Sequence, residues 1–553
     1  MLGKETRLAP FPPKDQARGL SGPDHHQTID IGWYFPSTYQ VGMSGLGYQL
    51  VWWLMESRPD TMVKRGFLDI AEQGMETIDL LGFTVAWELD FINISTILQK
   101  HRVPLTPQER LQAGDECPLI FGGGPVLSAN PEPFADFFDV ILLGDAESSV
   151  PAFLDAWQSA RQLPDKQEQL LALSKVKGLY VPSLYTVAYD PVSQAISSID
   201  PIQKDVPPSV EKEIFRAPDG YAVHTQILSD QTTWSNTFLI EVVRSCPQEC
   251  RFCLASYLTR PFRATAIDTI VEKVDFALQH TKRIGLLGPS VTEHPLFENL
   301  VAKFEERPDI DLTIASVRAD TLTPSIVKML KTLGQKSVTI AIESGSERLR
   351  QIMKKNLSQD EIFEAVRLID EGGLQGVKFY GIVGLPYETD ADLEQTVALM
   401  AALKKKHKRL RFVFGVSSFV PKAQTPFQWS GRDKRAQAKL EYMRKHLSKL
   451  GIEVRPESHN WSDIQGLISR GDRRLAPLMR EIAKTQGSVG DWKRALRNLP
   501  EGAPALQFFA FRDIEVDEIL PWQHISPPQK EGTLLRHSDQ AKLLAQTSVK
   551  ELK

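Results

Sequence analysis

The chain has 553 residues, a formal net charge of −4, 42% apolar residues and 24% charged ones. That is the make-up of a globular protein of three or four domains, with no global basic field to draw nucleic acid to it. No apolar run is long enough to span a membrane, and the first thirty residues hold no apolar signal core. No membrane partner and a cytoplasmic location are therefore expected.

Residues 1–27 read as a flexible leader. From 28 to 160 strand and helix alternate: strands over 29–36, 78–85, 118–121 and 138–143, with helices over 48–57 and 93–101. Glycine-rich turns follow the strands, at Gly42–Gly47, Gly122–Pro125 and Gly144–Glu147. This pattern predicts a Rossmann-like, doubly wound parallel sheet. Residues 161–232, with Pro-rich turns and short alternating runs, predict a β-rich connector. From 233 to 452 six βα units follow one another, with near-continuous apolar strands over 237–243, 283–287, 311–317, 337–343, 377–383 and 411–420. They predict a partial (β/α)6 barrel of the TIM type. Residues 453–553 read as mostly helical, with a Pro-, Lys- and Gln-rich tail expected to fray. The fold class is thus α/β, a Rossmann-like sheet followed by a partial barrel and a helical extension.

Three of the four cysteines stand within eight residues, as Cys246-Pro-Gln-Glu-Cys250-Arg-Phe-Cys253. A zinc site would need a second cysteine pair or nearby histidines, and four cysteines make no disulfide framework in a chain this long. Three thiolates on one loop suit three irons of a 4Fe–4S cluster, leaving the fourth iron open. Cys117, far off beside an apolar run, reads as a buried structural thiol. The loop follows the first barrel strand, at the end where barrels carry their chemistry.

This C-x3-C-x2-C loop, with Phe252 before its last cysteine, resembles that of the radical S-adenosylmethionine (SAM) superfamily. The resemblance implies that the open iron binds SAM, and that reductive cleavage yields a 5′-deoxyadenosyl radical. An electron donor such as flavodoxin or ferredoxin is then expected. SAM-binding candidates follow from the strand ends. They are Gly288 after the second strand, Ser316 and Arg318 after the third, Glu343 and Ser344 after the fourth, and Gly384 and Leu385 after the fifth. Arg318 reads equally as a carboxylate-binding arginine or a rim ion pair. The stretches Glu343–Ser346 and Ile382–Thr389 are similar to signatures of methylthiotransferases. RNA modification is thus an alternative, with Lys404–Arg411 and Arg470–Arg474 as candidate phosphate contacts. Only Cys117 is left for a second cluster, which argues against sulfur insertion. Lys422 reads either as a residue of the barrel mouth or as a solvated lysine. A non-catalytic iron–sulfur sensor or assembly factor is the remaining alternative.

The N-terminal turns resemble a cobalamin-binding domain, with Ser44, Gly45, Gly47, Gly122, Gly123 and Gly124 as its candidate contacts. The D-x-H-x-x-G motif is absent, which leaves two readings open: a cobalamin site, or a fold that kept these turns for structure. With cobalamin, methyl transfer to carbon would follow. The stretches Phe35–Gly47, Phe419–Trp429, Arg470–Leu475 and Leu520–Ile525 resemble an uncharacterised bacterial radical SAM family.

Overall fold

The structure is a computed structural model that describes residues 4–8, 28–114, 117–500 and 502–551. A short strand, β1 (Glu5–Arg7), comes first. The N-terminal sheet holds β2 (Ile29–Tyr34), β3 (Thr61–Gly66), β4 (Leu80–Thr84), β5 (Leu119–Gly123), β6 (Val140–Leu142) and β7 (Leu179–Tyr180), in the order β3-β2-β4-β5-β6-β7. All pairs are parallel except β6 with β7. The order reverses between β2 and β4, so their carboxyl ends leave a crevice. The helix α1 (Leu46–Glu56) covers one face, burying Tyr48, Trp52 and Met55.

Two sequence expectations change here. The flexible leader is not free throughout: β1 pairs antiparallel with β8 (Ile227–Ser229), and Arg65 binds Glu5 at 2.8 Å. The rest of the leader, 9–27, lies outside the described residues. The connector does not begin cleanly after 160, because β7 extends the N-terminal sheet.

The barrel strands are β9 (Phe238–Glu241), β10 (Arg283–Leu287), β11 (Asp311–Ile314), β12 (Ser337–Glu343), β13 (Gly376–Val383), β14 (Arg411–Ser418) and β15 (Glu453–Pro456). They pair in parallel as β9-β10-β11 and β12-β13-β14-β15, and a bridge between Val317 and Ile340 joins the two groups. The sheet therefore has seven strands, not six. The boundary expected at 452 falls just before the seventh. That strand has the pattern Glu-Val-Arg-Pro, half-buried then exposed, and carries no apolar run to announce it.

Helix α2 (His459–Arg470) and α3 (Val489–Arg497) follow. Their apolar residues, among them Ile464, Leu467 and Trp492, join the core of the N-terminal sheet rather than that of the barrel. The tail does not fray as expected: α4 (Thr533–Glu551) buries Ala541 and Ala545 against Leu349, Ile352 and Met353.

Candidate functional site

The cysteine loop leaves β9 through Arg244, which anchors its base to the N-terminal domain. Its guanidinium binds Asp145 at 3.1 Å, Glu147 at 2.7 Å and Glu241 at 2.7 Å. Ser245 (φ 67°) and Glu249 (φ 55°) are left-handed, a conformation that non-glycine residues hold only where surrounding contacts enforce it. Tyr257 Oη donates to the Glu249 carbonyl at 2.7 Å, and the Arg251 amide donates to Met353 O at 2.9 Å. The Arg251 guanidinium reaches Ile352 O at 2.6 Å and Gln540 Oε1 of α4 at 3.2 Å. The loop is thus held from behind by the barrel and the C-terminal helix.

All four cysteines are free thiols. Burial pushes the Cys250 thiol up to about 12, against the opposing pull of Lys355, and burial raises Cys253 as well. Unligated, they are poor nucleophiles; bound to iron they would lose their protons. Among the described residues no three His, Cys, Asp or Glu side chains converge as a site for a single metal ion. The donor set of three uncrosslinked thiols, with Lys355 and Arg318 contributing positive potential at Cys250, fits an anionic iron–sulfur cluster. Cys117 is buried, with its thiol raised chiefly by burial and its Sγ 3.6 Å from Pro118 O, away from this loop.

Glu343 ends β12 with φ 63° and is 8% exposed. Its carboxylate meets Lys355 Nζ at 3.2 Å, and this pair lies within the electrostatic reach of Cys250. Ser344 Oγ accepts from the Ser346 amide, and Ser346 caps the next helix by accepting from the Leu349 amide at 3.3 Å. Gly384 has φ 74° and donates its amide to Glu388 Oε2 at 2.7 Å, while Leu385 is buried in the apolar cluster under α4. Gly288 is bare for packing: a Cβ there would lie 2.4 Å from Val243 Cγ2. Ser316 is half-buried beside Val317. Arg318 binds Asp320 at 2.6 Å and Glu293 at 2.9 Å.

In front of the loop lies a chamber of about 860 Å³ into which Phe252 and Cys253 face. The carboxyl ends of β13 and β14 supply Ile382, Ser417, Ser418 and Phe419. The segment after β4 supplies Trp87, Leu89, Phe91 and Ile92, and α2 presents one helical face, Ser458, Trp461, Ser462 and Gln465. Lys422 lines it too and pairs with the buried Glu88, which also accepts from Gln465 at 2.9 Å. Burial alone would raise the Glu88 carboxyl, but Lys422 holds it below its usual range. Lys422 is therefore at the barrel mouth rather than solvated. The sequence reading missed the aromatic wall and the α2 face. The spacing 458, 461, 462, 465 was the available signal.

A second cavity, about 250 Å³, sits at the crevice between β2 and β4 and is lined by Gly45, Gly47, Gly122, Gly123 and Gly124. The glycines differ in role. Gly122 is bare to admit Phe138, and Gly124 has φ 112° with Val85 O in the way of a side chain. Around Gly47 a Cβ would meet nothing within 4 Å. Ser44 does not face this cavity: it donates to Gln40 O and accepts from the Thr233 amide at 2.8 Å. No histidine lines either cavity.

Of the expected phosphate contacts, Lys405, Lys406, Lys408, Arg409 and Arg411 are exposed, while the arginines of Arg470–Arg474 point inward. Arg470 donates to Ser430 O and Arg512 O, Arg473 to Glu132, and Arg474 to Asp472. Lys404 donates to Leu410 O at 3.0 Å. No helix among the described residues is long and apolar enough to cross a membrane.

Residues 240–400 match the family model described as "Radical SAM superfamily", and residues 47–182 match "Radical SAM proteins, N-terminal". An uncharacterised protein of Methanocaldococcus jannaschii is 28% identical over 80% of this chain and 88% of its own length. A tRNA-2-methylthio-N(6)-dimethylallyladenosine synthase of Stenotrophomonas maltophilia is 24% identical over 51% of this chain and 60% of its own. The solved structure of the radical SAM methyltransferase TsrM from Kitasatospora setae, with cobalamin and a [4Fe–4S] cluster bound, is 14% identical. It matches 70% of this chain and 72% of its own, with a TM-score of 0.47. With both its core and its N-terminal region matched, the chain belongs to the radical SAM superfamily, whose enzymes use a 4Fe–4S cluster and SAM.

Proposed function

We propose that Cys246, Cys250 and Cys253 hold the cluster, and that SAM binds across the strand ends beside Glu343 and Lys355. The observation that carries this reading is the cysteine loop at the carboxyl end of β9, opening through Phe252 and Cys253 into the 860 Å³ chamber. When bound, the cluster supplies the electron that cleaves SAM to methionine and a 5′-deoxyadenosyl radical. The chain's own part is to orient and to exclude water. Glu343 accepts hydrogen bonds from the ribose or amine of SAM, while the Trp87 and Phe91 wall keeps the chamber apolar around the radical. Hydrogen abstraction from an unactivated C–H bond of a substrate in that chamber is the expected outcome. A one-electron carrier such as flavodoxin or ferredoxin, in a reducing cytoplasm, would supply the electron.

The crevice cavity favours a cobalamin-assisted form of the reaction. Its glycine-lined floor and the open space at Gly47 suit the nucleotide tail of cobalamin, with Gly45, Gly123 and Gly124 as backbone contacts. Cobalamin, when bound there, would supply methyl-carrier chemistry. Electron paramagnetic resonance of the anaerobically reconstituted, reduced protein tests the core of this proposal. A [4Fe–4S]⁺ signal that changes when SAM is added, and is missing in Cys250→Ala, is expected. A signal indifferent to SAM would overturn it.

A further inference from the structure

The cysteine loop has a second side, which does not line the chamber, and it gathers positive charge. The Glu249 carboxylate, one residue before Cys250, is bound by both Arg260 and Lys354. Arg251, one residue after Cys250, is only 3% exposed, yet among the described residues it has no carboxylate partner. Its guanidinium meets the carbonyls of Gln351 and Ile352 and Gln540 Oε1 of α4, and its Nε makes no hydrogen bond. Arg536, one turn before Gln540 on α4, is exposed, and its side chain donates to Thr533 Oγ1 at 3.4 Å. Four cations thus stand with one carboxylate behind the cysteines, in a chain whose net charge is −4. None of these residues lines the chamber.

Tyr257 links this patch to the cysteines. Its Oη donates to the Glu249 carbonyl at 2.7 Å and meets His537 Nδ1 at 3.1 Å. The Arg260 guanidinium lies 5.8 Å from the centre of its ring, and the ring lies within the electrostatic reach of Cys250 and Cys253. Burial, then Lys354, Arg251, Arg536 and Arg260, push His537 down to about 4, so this ring is neutral at pH 7 and the cations act as one patch. The exposed face of α4 continues it. Positions 536, 540 and 543 fall on one side of a helix, and Leu543 there is 63% exposed. Cations beside an exposed leucine have the make-up of a transient protein contact, apolar at its centre and polar at its rim.

We propose that this side of the loop, with Arg251, Arg260, Lys354, Arg536 and Leu543, is the docking surface of a small one-electron carrier protein whose redox centre is ringed by acidic residues. This rests on the reading of Cys246, Cys250 and Cys253 as cluster ligands. It adds where the carrier docks and by what charge it is recognised. The carrier loses one electron and the cluster gains it, with no bond made or broken. In that reading SAM and substrate fill the chamber side, which leaves the back of the loop for the electron. Opposite charge speeds encounter and fixes orientation more than it adds affinity. That suits a partner that delivers one electron and must then leave.

Two carriers of opposite charge test it: oxidised flavodoxin, which is acidic, and cytochrome c, which is basic. Each is titrated into the full chain at about 0.02 M and about 0.2 M salt. Flavodoxin is expected to bind at the lower salt and about tenfold more weakly at the higher, and cytochrome c is expected not to bind. Arg536→Glu and Leu543→Asp, both at exposed positions, are each expected to weaken flavodoxin binding about tenfold. Lys405→Glu makes the same charge change as Arg536→Glu, but at the end of the helix that leads into the start of β14, the far end of the barrel from the loop. It should leave flavodoxin binding within about twofold. No flavodoxin binding, binding indifferent to Arg536→Glu and Leu543→Asp, or an equal loss in Lys405→Glu would overturn the inference. This titration needs neither cluster nor turnover. In the reconstituted protein, photoreduced flavodoxin should reduce the Arg536→Glu cluster more slowly than the wild-type one, while excess dithionite reduces both to the same extent. A wild-type protein that no reductant converts to [4Fe–4S]⁺ would sink the reading this rests on, and would leave the titration to decide the docking surface.

Discussion

At the scale of single residues, buried charge decides most of what happens beside the cysteines. Glu343 and Lys355 are both under 10% exposed, so neither is supported by water, and each depends on the other. Removing one partner of such a pair strands the other at a cost of about 3–5 kcal/mol. Lys355→Met is therefore expected to lower the melting temperature by several degrees and to weaken SAM binding. An unchanged melting curve would mean that water reaches Glu343. Gly345 is a second single-residue test. A Cβ there would lie 2.3 Å from the Thr396 Cα, a backbone atom that cannot swing aside. Gly345→Ala is expected to destabilise the protein by about 1–3 kcal/mol, read as a lower denaturation midpoint. Lys212 gives a pH signature. It is buried, among the described residues its Nζ bonds only Gln424, and burial lowers its pKa to about 7. In the unfolded chain it keeps a proton up to the ordinary lysine range, so between pH 7 and 10 the unfolded state binds more protons. Stability should rise with pH across that window, by up to about 1.4 kcal/mol per unit from this group, and level off below 7. Thermal unfolding at pH 7, 8 and 9 checks this, and Lys212→Met should flatten the slope.

At the scale of elements, apolar runs were readable and mixed ones were not. The strands at 283–287 and 337–343 fall where the sequence places them, because their buried positions, Ile284 and Leu286 in one and Val338, Ile340 and Ile342 in the other, carry an apolar pattern. The strand Thr61–Gly66 was invisible because it is an edge strand with exposed Met62 and an ion-paired Arg65 near its end. Glu453–Pro456 escaped for the same reason. The candidate SAM contacts at the strand ends came from resemblance, and the structure shows several of them bound within the protein. Arg318 is engaged by Glu293 and Asp320, and Gly288 by Val243. The chamber residues from α2 and the segment after β4 carry no signature, since their only common property is a shared face in three dimensions. The C-terminal helix α4 was taken for a fraying tail because its polar exposed side dominates the composition. Its work is done by Ala541, Ala545, Gln540 and His537, the last of which meets Tyr257 Oη at 3.1 Å behind the cysteine loop. Truncation after Gly532 is expected to leave the two main cores folded while the loop loosens. The reconstituted cluster should then bleach in air several-fold faster than in the full chain; an unchanged rate would show that α4 does not support the loop.

At the scale of the molecule, the barrel alone does not make the chamber. Its walls come from the barrel, the N-terminal sheet and the C-terminal helices, and the last two share one apolar core. The polar contacts between Lys422, Glu88 and Gln465 tie all three parts at the chamber's edge. This arrangement explains why the C-terminal region follows the barrel in sequence yet packs on the domain before it: it closes the chamber from the far side. Chemistry that starts at Cys246–Cys253 would therefore meet a substrate held by parts of the chain remote from the cysteines. The most direct test is to incubate the anaerobically reconstituted protein with SAM and dithionite and to quantify 5′-deoxyadenosine by mass spectrometry, beside Cys250→Ala. The account predicts 5′-deoxyadenosine from the wild-type chain and none above background from the variant. Equal amounts from both, or none from a wild-type protein whose cluster is spectroscopically complete, would contradict it.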